Sequence, residues 1–239
     1  MTARAIWHDL ECGSYTEDLA FWRALADRFG GPVLDVGAGT GRTTLELARA
    51  GHSVTAIDLY DDLLEELRER AGPLDVTTIV ADARAFGIAT AFPLIIVPMQ
   101  TVQLLGGPDA RASFLECAEF HLAPGGVLAI ALADDLELFE VAEGAAGPLP
   151  DVREIDGVVY SSRPVAVRDD GDAFVLARRR ETVTADGGHV VEPDLIRLDR
   201  LDADALEREG AAAGLRPASR MEIEATAEYV GSTVVMFRV

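Results

Sequence analysis

The sequence predicts an α/β fold, a doubly wound and mostly parallel sheet carrying an antiparallel β insertion. Short apolar runs alternate with helical stretches between residues 33 and 133, the pattern of parallel strands buried on both faces. The first run, Val33-Leu34-Asp35-Val36, leads into glycines at alternate positions, Gly37, Gly39 and Gly41, and then into a helical stretch. After about residue 135 the pattern changes. Asp156-Gly157, Asp170-Gly171 and Asp186-Gly187-Gly188 are turn signals separating extended stretches, as in an antiparallel meander.

Residues 3–29 are expected to be helical, with an apolar face through Leu19, Phe21, Trp22, Leu25 and Phe29. Gly30-Gly31-Pro32 ends that stretch before the strand at 33–36. A helix over 40–50 stops at Gly51, and the β-branched run 53–57 ends at Asp58. A helix over 61–70 is stopped by Gly72-Pro73, and a strand over 75–80 ends just before Asp82. A fourth strand at 94–97 runs into Pro98. Then come a helix over 108–122, the turn Ala123-Pro124-Gly125-Gly126 and a fifth strand at 127–132. Extended stretches at 158–168, 172–184 and 189–198 form the insertion. A helix over 203–213 and strands near 215–224 and 232–239 close the chain. Crossovers in such a sheet are right-handed, and ligands bind beyond the carboxyl ends of the strands near the switch point. Gly37–Gly41, Asp58, Asp82 and Pro98–Gln103 would meet there.

Composition narrows the function. The 239 residues are 49% hydrophobic, enough for one sizeable α/β domain with an insertion. A net charge of −20 argues against binding a phosphate backbone. Every basic residue is arginine, which reads as coding bias or as a salt-adapted acidic surface. No apolar run approaches the ~18–20 residues of a membrane span, and the first residues lack the apolar stretch of a secretory signal. Cys12 and Cys117 have no CxxC spacing, so neither a disulfide framework nor a metal site is expected, and a reducing cytoplasm is the default.

The glycine turn carries the chemistry. Glycine is used where a Cβ would block a close approach or where φ is positive. The helix start after it favours an electron-rich ligand. A dinucleotide turn wants G-x-G-x-x-G, whereas here the third glycine is Gly41 and Arg42 follows. Asp35-Val36-Gly37-Ala38-Gly39-Thr40-Gly41 resembles the first motif, (D/E)-x-G-x-G-x-G, of the class I S-adenosylmethionine-dependent methyltransferases. Val80-Ala81-Asp82-Ala83-Arg84 resembles that family's third-strand motif, and Pro124-Gly125-Gly126 its turn before the fifth strand. The resemblance runs motif by motif over 30–133. It is looser over 203–239, where a helix and two strands would complete a seven-stranded Rossmann-like sheet. The fourth-strand region has no acidic residue and no Asn-Pro-Pro-Tyr or Asp-Pro-Pro-Tyr run, against amide or nucleobase N-methylation.

The resemblance implies a set of site residues. Cofactor contacts would come from Asp35, Gly37, Ala38, Gly39 and Gly41, from Asp58 and Leu59, from Asp82 and Ala83, and from Pro98, with Tyr15 covering the cofactor. Asp58, 21 positions after Gly37, could accept from both ribose hydroxyls or simply cap the next helix. His8 is the candidate base, and Gln100 and Gln103 are candidates for orienting the acceptor or the methionine carboxylate of the cofactor. Glutamines hydrogen-bond but do not act as bases at neutral pH. His52 and His121 are expected on the far side of the sheet, and His189 beside a double-glycine turn. Arg178-Arg179-Arg180 reads as a solvated edge.

The implied organisation is a lid at 1–29, a cofactor-binding core at 30–135 and 201–239, and an insertion at 136–200 serving as substrate cap or dimer contact. The implied reaction is methyl transfer from S-adenosylmethionine to nitrogen or oxygen of a small-molecule acceptor, with no nucleic acid or membrane partner and a possible homodimer. A non-catalytic binder of S-adenosylmethionine or S-adenosylhomocysteine, a methyltransferase-fold enzyme that transfers no methyl group, and an NAD-dependent oxidoreductase are the alternatives.

Overall fold

The computed structural model describes residues 1–133, 136–142, 144–226 and 229–239. Its core is a seven-stranded sheet flanked by helices. Strands β1 (Val33–Val36), β2 (Val54–Asp58), β3 (Val76–Val80), β4 (Phe92–Val97) and β5 (Leu122–Leu132) are parallel. Strand β12 (Ser232–Arg238) joins β5 antiparallel, and β11 (Arg216–Ile223) joins β12. The order β11-β12-β5-β4-β1-β2-β3 places β1 between β2 and β4, so the chain reverses its direction of travel at the β1/β4 boundary. That is where a crevice is expected at the carboxyl ends.

Both faces of the central strands are buried, whereas β3 at the edge is only partly covered. Leu34, Ile95, Leu128 and Val235 pack with Phe114 and Leu206 on one side, and Val33, Leu94, Ala129 and Val234 pack with Trp22 and Leu47 on the other. The helices that cover them are α1 (Ala3–Cys12), α2 (Leu19–Phe29), α3 (Arg42–Arg49), α4 (Asp61–Ala71), α5 (Pro108–His121) and α6 (Ala203–Ala212). None is long and apolar enough to cross a membrane among the described residues.

The N-terminal stretch is two helices rather than one. Gly13 ends α1, and a Cβ there would lie 2.6 Å from the Asp9 carbonyl oxygen. The chain then turns so that Tyr15 and Asp18 are buried ahead of α2. Helix α3 starts at Arg42, two residues later than expected, because its cap Gly41 has φ 95°. The Pro124–Gly126 turn lies inside β5, opposite a register shift between Phe92 and Leu94.

The second sheet has five strands: β6 (Phe139–Glu140), β7 (Asp151–Ile155), β8 (Val158–Asp169), β9 (Ala173–Val183) and β10 (His189–Asp199). The long β8, β9 and β10 match the expected stretches, whereas β6 and β7 carry no sequence signal. The expected boundary between core and insertion, at 135/136, touches residues outside the described set.

The sheet rejoins the core through a buried polar knot. Gln103 lies in a short 3-10 turn (Thr101–Leu104), its amide bonded to Ala133 N and O and to Asp199 O at 2.9–3.1 Å. Arg111 of α5 donates to Asp199 Oδ2 at 2.5 Å and to both Glu209 oxygens at 2.7 and 2.8 Å.

Candidate functional site

Gly37, Gly39 and Gly41 all have positive φ (74°, 55° and 95°). A Cβ at Gly37 would meet Thr101 Cγ2 at 2.5 Å, one at Gly39 would meet His8 Nε2 at 2.3 Å, and one at Gly41 would meet Leu67 Cδ1 at 2.2 Å. The close approach that the glycines allow is therefore made here to three side chains of the chain itself. They come from the turn after β4, from α1 and from α4. The buried Asp35 lies below the turn and accepts from Thr44 Oγ1 at 2.6 Å through Oδ2, while its Oδ1 is buried with no partner.

Asp58 closes β2. Its Oδ2 accepts the Gly39 N–H at 2.9 Å, tying the turn to the neighbouring strand, and its Oδ1 accepts the Tyr60 N–H at 3.0 Å. Tyr60 precedes α4, so Asp58 does organise that helix entry. Each carboxylate oxygen still keeps a lone pair for a ligand hydroxyl. Leu59 beside it is exposed. Asp82, past the end of β3, is gripped by the Arg84 N–H and guanidinium at 2.6–3.1 Å, which holds its carboxyl below the usual range. Ala83 is half-buried there. Pro98 is buried and its carbonyl accepts from Thr101 Oγ1 at 3.0 Å, while Gln100 is half-buried on the same turn. The carboxyl ends of β1, β2, β3 and β4 thus carry all these residues on one rim of the sheet.

Helix α1 lies across that rim. His8 rests on Gly39, and Asp9 accepts from Thr40 Oγ1 at 2.6 Å and from Arg70 at 3.0 and 2.5 Å. Further along, Glu11 accepts from Ser162 at 2.7 Å and from Arg180 at 2.7 and 2.8 Å. Tyr15 is fully packed. Its ring lies 5.0 Å from that of Tyr229 with the Arg42 guanidinium 5.1 Å away, and burial pushes its hydroxyl up to about 12. Arg42 also donates to the Tyr15 carbonyl at 2.9 Å and pairs with Asp18 through both terminal guanidinium nitrogens.

Two sequence expectations change. Gln103 does not face a reacting group, since it is completely buried and both ends of its amide are bonded to backbone. It positions the turn instead. Arg178–Arg180 is not an edge either, because β9 lies between β8 and β10. Arg178 and Arg180 turn inward to Glu11, and only Arg179 is markedly exposed. His52 and His121 precede β2 and β5, at the amino ends of the strands, and His189 pairs with Glu181. Thr40, Asp9, Arg70, Arg42 and Asp18 were missed as site residues. Arg42 and Thr40 adjoin the glycines, which was the available signal.

The unpartnered Asp35 oxygen is the observation that tests a ligand. A buried carboxylate oxygen without a donor is costly, and burial raises the Asp35 pKa to about 6. A native pKa above the unfolded value means that stability falls as pH rises from about 4 to about 6, and stays reduced above that range. A cationic ligand group nearby would relieve that cost, and the remaining lone pairs of Asp58 suit ligand hydroxyls. Asp35→Asn is therefore expected to stabilise the ligand-free protein by about 1–3 kcal/mol at pH 7–8, with the gain vanishing near pH 4. Thermal melts across pH check this, and an Asn variant less stable at pH 8 would refute it.

The fold and this rim define the class: a class I methyltransferase architecture, with the glycine turn at the switch point. Residues 33–126 match the family model described as "Methyltransferase domain". A malonyl-[acyl-carrier protein] O-methyltransferase of Xylella fastidiosa (strain M23) is 31% identical over 196 residues, covering 80% of this chain and 60% of that protein. A cypemycin N-terminal methyltransferase of a Streptomyces species is 29% identical over 143 residues, covering 60% of this chain and 56% of that protein. The chain thus spans 56–60% of the length of these curated relatives. The solved structure of SAM-bound CalS10, an amino pentose methyltransferase from Micromonospora echinaspora, superposes with a TM-score of 0.72 at 20% identity, covering 100% of this chain and 98% of that one. The chain is thus similar to methyltransferases in sequence over residues 33–126 and shares their fold.

Proposed function

We propose that the protein transfers a methyl group from S-adenosylmethionine to nitrogen or oxygen of a small-molecule acceptor. The observation that carries this reading is the Gly37–Gly41 turn hydrogen-bonded to Asp58, with Asp82 on the next strand end. When bound, the cofactor supplies a methyl group on a positively charged sulfonium, already activated for in-line displacement. Asp58 and Leu59 would hold its ribose, Asp82 and Ala83 its adenine, and Asp35 with Gly37, Ala38, Gly39 and Gly41 its remaining, cationic end. Pro98 and Gln100 border the acceptor side, and Tyr15 with Arg42 anchors the cover. The chain's own work is to align the acceptor and exclude water.

Residues 1–29 form the lid, 30–135 and 201–239 the core, and 136–200 a cap over the acceptor or a contact to a second copy. The small-molecule class is supported by the fold relative that acts on an amino pentose and by the acidic rim, which suits no nucleic acid. An NAD-dependent reading is disfavoured because Arg42 stands where a third dinucleotide glycine would be, and that arginine is engaged by Asp18 and Tyr15. Calorimetry with S-adenosylmethionine and NAD in parallel separates the two. Tight binding of NAD alone would overturn the proposal. An acceptor screen that reads S-adenosylhomocysteine then tests transfer and excludes the binding-only alternative.

A further inference from the structure

The hydrogen-bond chain behind His8 fixes which of its ring nitrogens is free. Arg70 donates two N–H groups to Asp9 at 3.0 and 2.5 Å, and Arg153 adds a third at 3.2 Å. Asp9 is thereby an ionised carboxylate that can only accept. Thr40 has a single hydroxyl proton, and the 2.6 Å contact from Thr40 Oγ1 to Asp9 Oδ1 uses it. The 3.2 Å contact between Thr40 Oγ1 and His8 Nδ1 must then run the other way, with Nδ1–H donating. A neutral imidazole carries one ring proton, so Nε2 is left as a bare acceptor.

Nε2 is placed against Gly39, whose N–H is bonded to Asp58 Oδ2. The charged groups around the ring are Asp58 of the strand end, Asp9 and Glu11 of its own helix, and Arg70 of α4. Two acceptors from different elements, the imidazole of the lid and the carboxylate of the strand end, therefore flank one glycine. A vicinal diol supplies two O–H donors for such a pair.

Resting on the reading of the site as a cofactor site, we propose that His8 is a cofactor-positioning residue, not the base for the acceptor. Its Nε2, held as the acceptor by the Arg70–Asp9–Thr40 chain, shares the ribose hydroxyls of the cofactor with Asp58. Burial lowers the His8 pKa and keeps the ring neutral near pH 7. Protonation would turn Nε2 into a donor, which can no longer accept from the diol.

The test is calorimetry with S-adenosylhomocysteine and its 2′-deoxy and 3′-deoxy analogues, on the intact protein and the His8→Ala, His8→Gln and Thr40→Val variants. His8→Ala is expected to weaken S-adenosylhomocysteine roughly 5- to 30-fold and to leave one deoxy analogue nearly unaffected. Thr40→Val should weaken it less, and the intact protein should lose affinity as pH falls through the His8 titration. Nitrogen NMR of the ligand-free protein should show the Nδ1–H tautomer, and should lose that preference in Thr40→Val. An Nε2–H signature overturns the proposal whatever ligand binds. A folded His8→Ala protein with unchanged affinity but a reduced kcat and a shifted pH profile also overturns it, in favour of an acceptor base. If the intact protein ignores S-adenosylhomocysteine while the tautomer is as expected, the cofactor reading itself fails and the proposal with it.

Discussion

Arg111→Ala is expected to lower stability by about 3–5 kcal/mol, the range for removing one partner of a buried ion pair. Arg111 is 4% exposed and is the shared donor for Asp199 and Glu209. Its loss strands two carboxylates, and Asp199 is itself buried where β10 re-enters the core. The Gly107 N–H, 2.7 Å from Asp199 Oδ2, is too weak a donor to hold that charge alone. Leu206 and Phe114 pack in the same region, so the gap also opens onto the hydrophobic core. For a chain of this size the melting temperature should fall on the order of 10 °C, and Arg111→Lys, with a point charge in place of the fork, should recover only part. A drop under about 1 kcal/mol in a denaturant titration would show that the knot does not hold the two sheets together.

Asp58→Ala should weaken cofactor binding by about 1–3 kcal/mol, as when a charge-assisted hydrogen bond is removed. The substitution also deprives the Gly39 and Tyr60 N–H groups of their acceptor, so part of the loss would come from a loosened glycine turn. Asp58→Asn separates the two contributions, because its amide oxygen can still take one of those N–H groups while its NH2 opposes a ligand hydroxyl. The expected order of affinity is Asp, then Asn, then Ala, with little change in melting temperature at this half-buried position. An unchanged dissociation constant in the alanine variant would remove Asp58 from the site.

The strands and the glycine turn were legible because their causes are local. Apolar runs of four to six residues and glycines at positive φ carry their meaning within a short window. Asp58 and Asp82 followed as strand-end residues. What could not be read depends on partners far along the chain. Glu11 explains Arg180, but 169 residues separate them, and Gln103 explains Asp199 across 96. Strand β7 stayed hidden because its central residues are exposed and lack the alternation of a half-buried strand. The break at Gly13 was masked by a helical pattern that resumes six residues later in the same sense, and only the burial of Tyr15 and Asp18 against Arg42 reveals why the chain turns.

Helix α1 touches the rest of the molecule on two sides. Asp9 reaches Thr40 and Arg70 of the parallel-sheet layer, while Glu11, two residues on, reaches Ser162 and Arg180 of the antiparallel one. A rigid helix of ten residues cannot shift against one without disturbing the other. Whatever free energy a guest on one side gains by moving α1 is therefore returned, by reciprocity, as an equal change in affinity on the other. The ten residues thus form a lever between the two sheets, through which a ligand at the glycine turn and one at the antiparallel sheet would each reset the other's affinity.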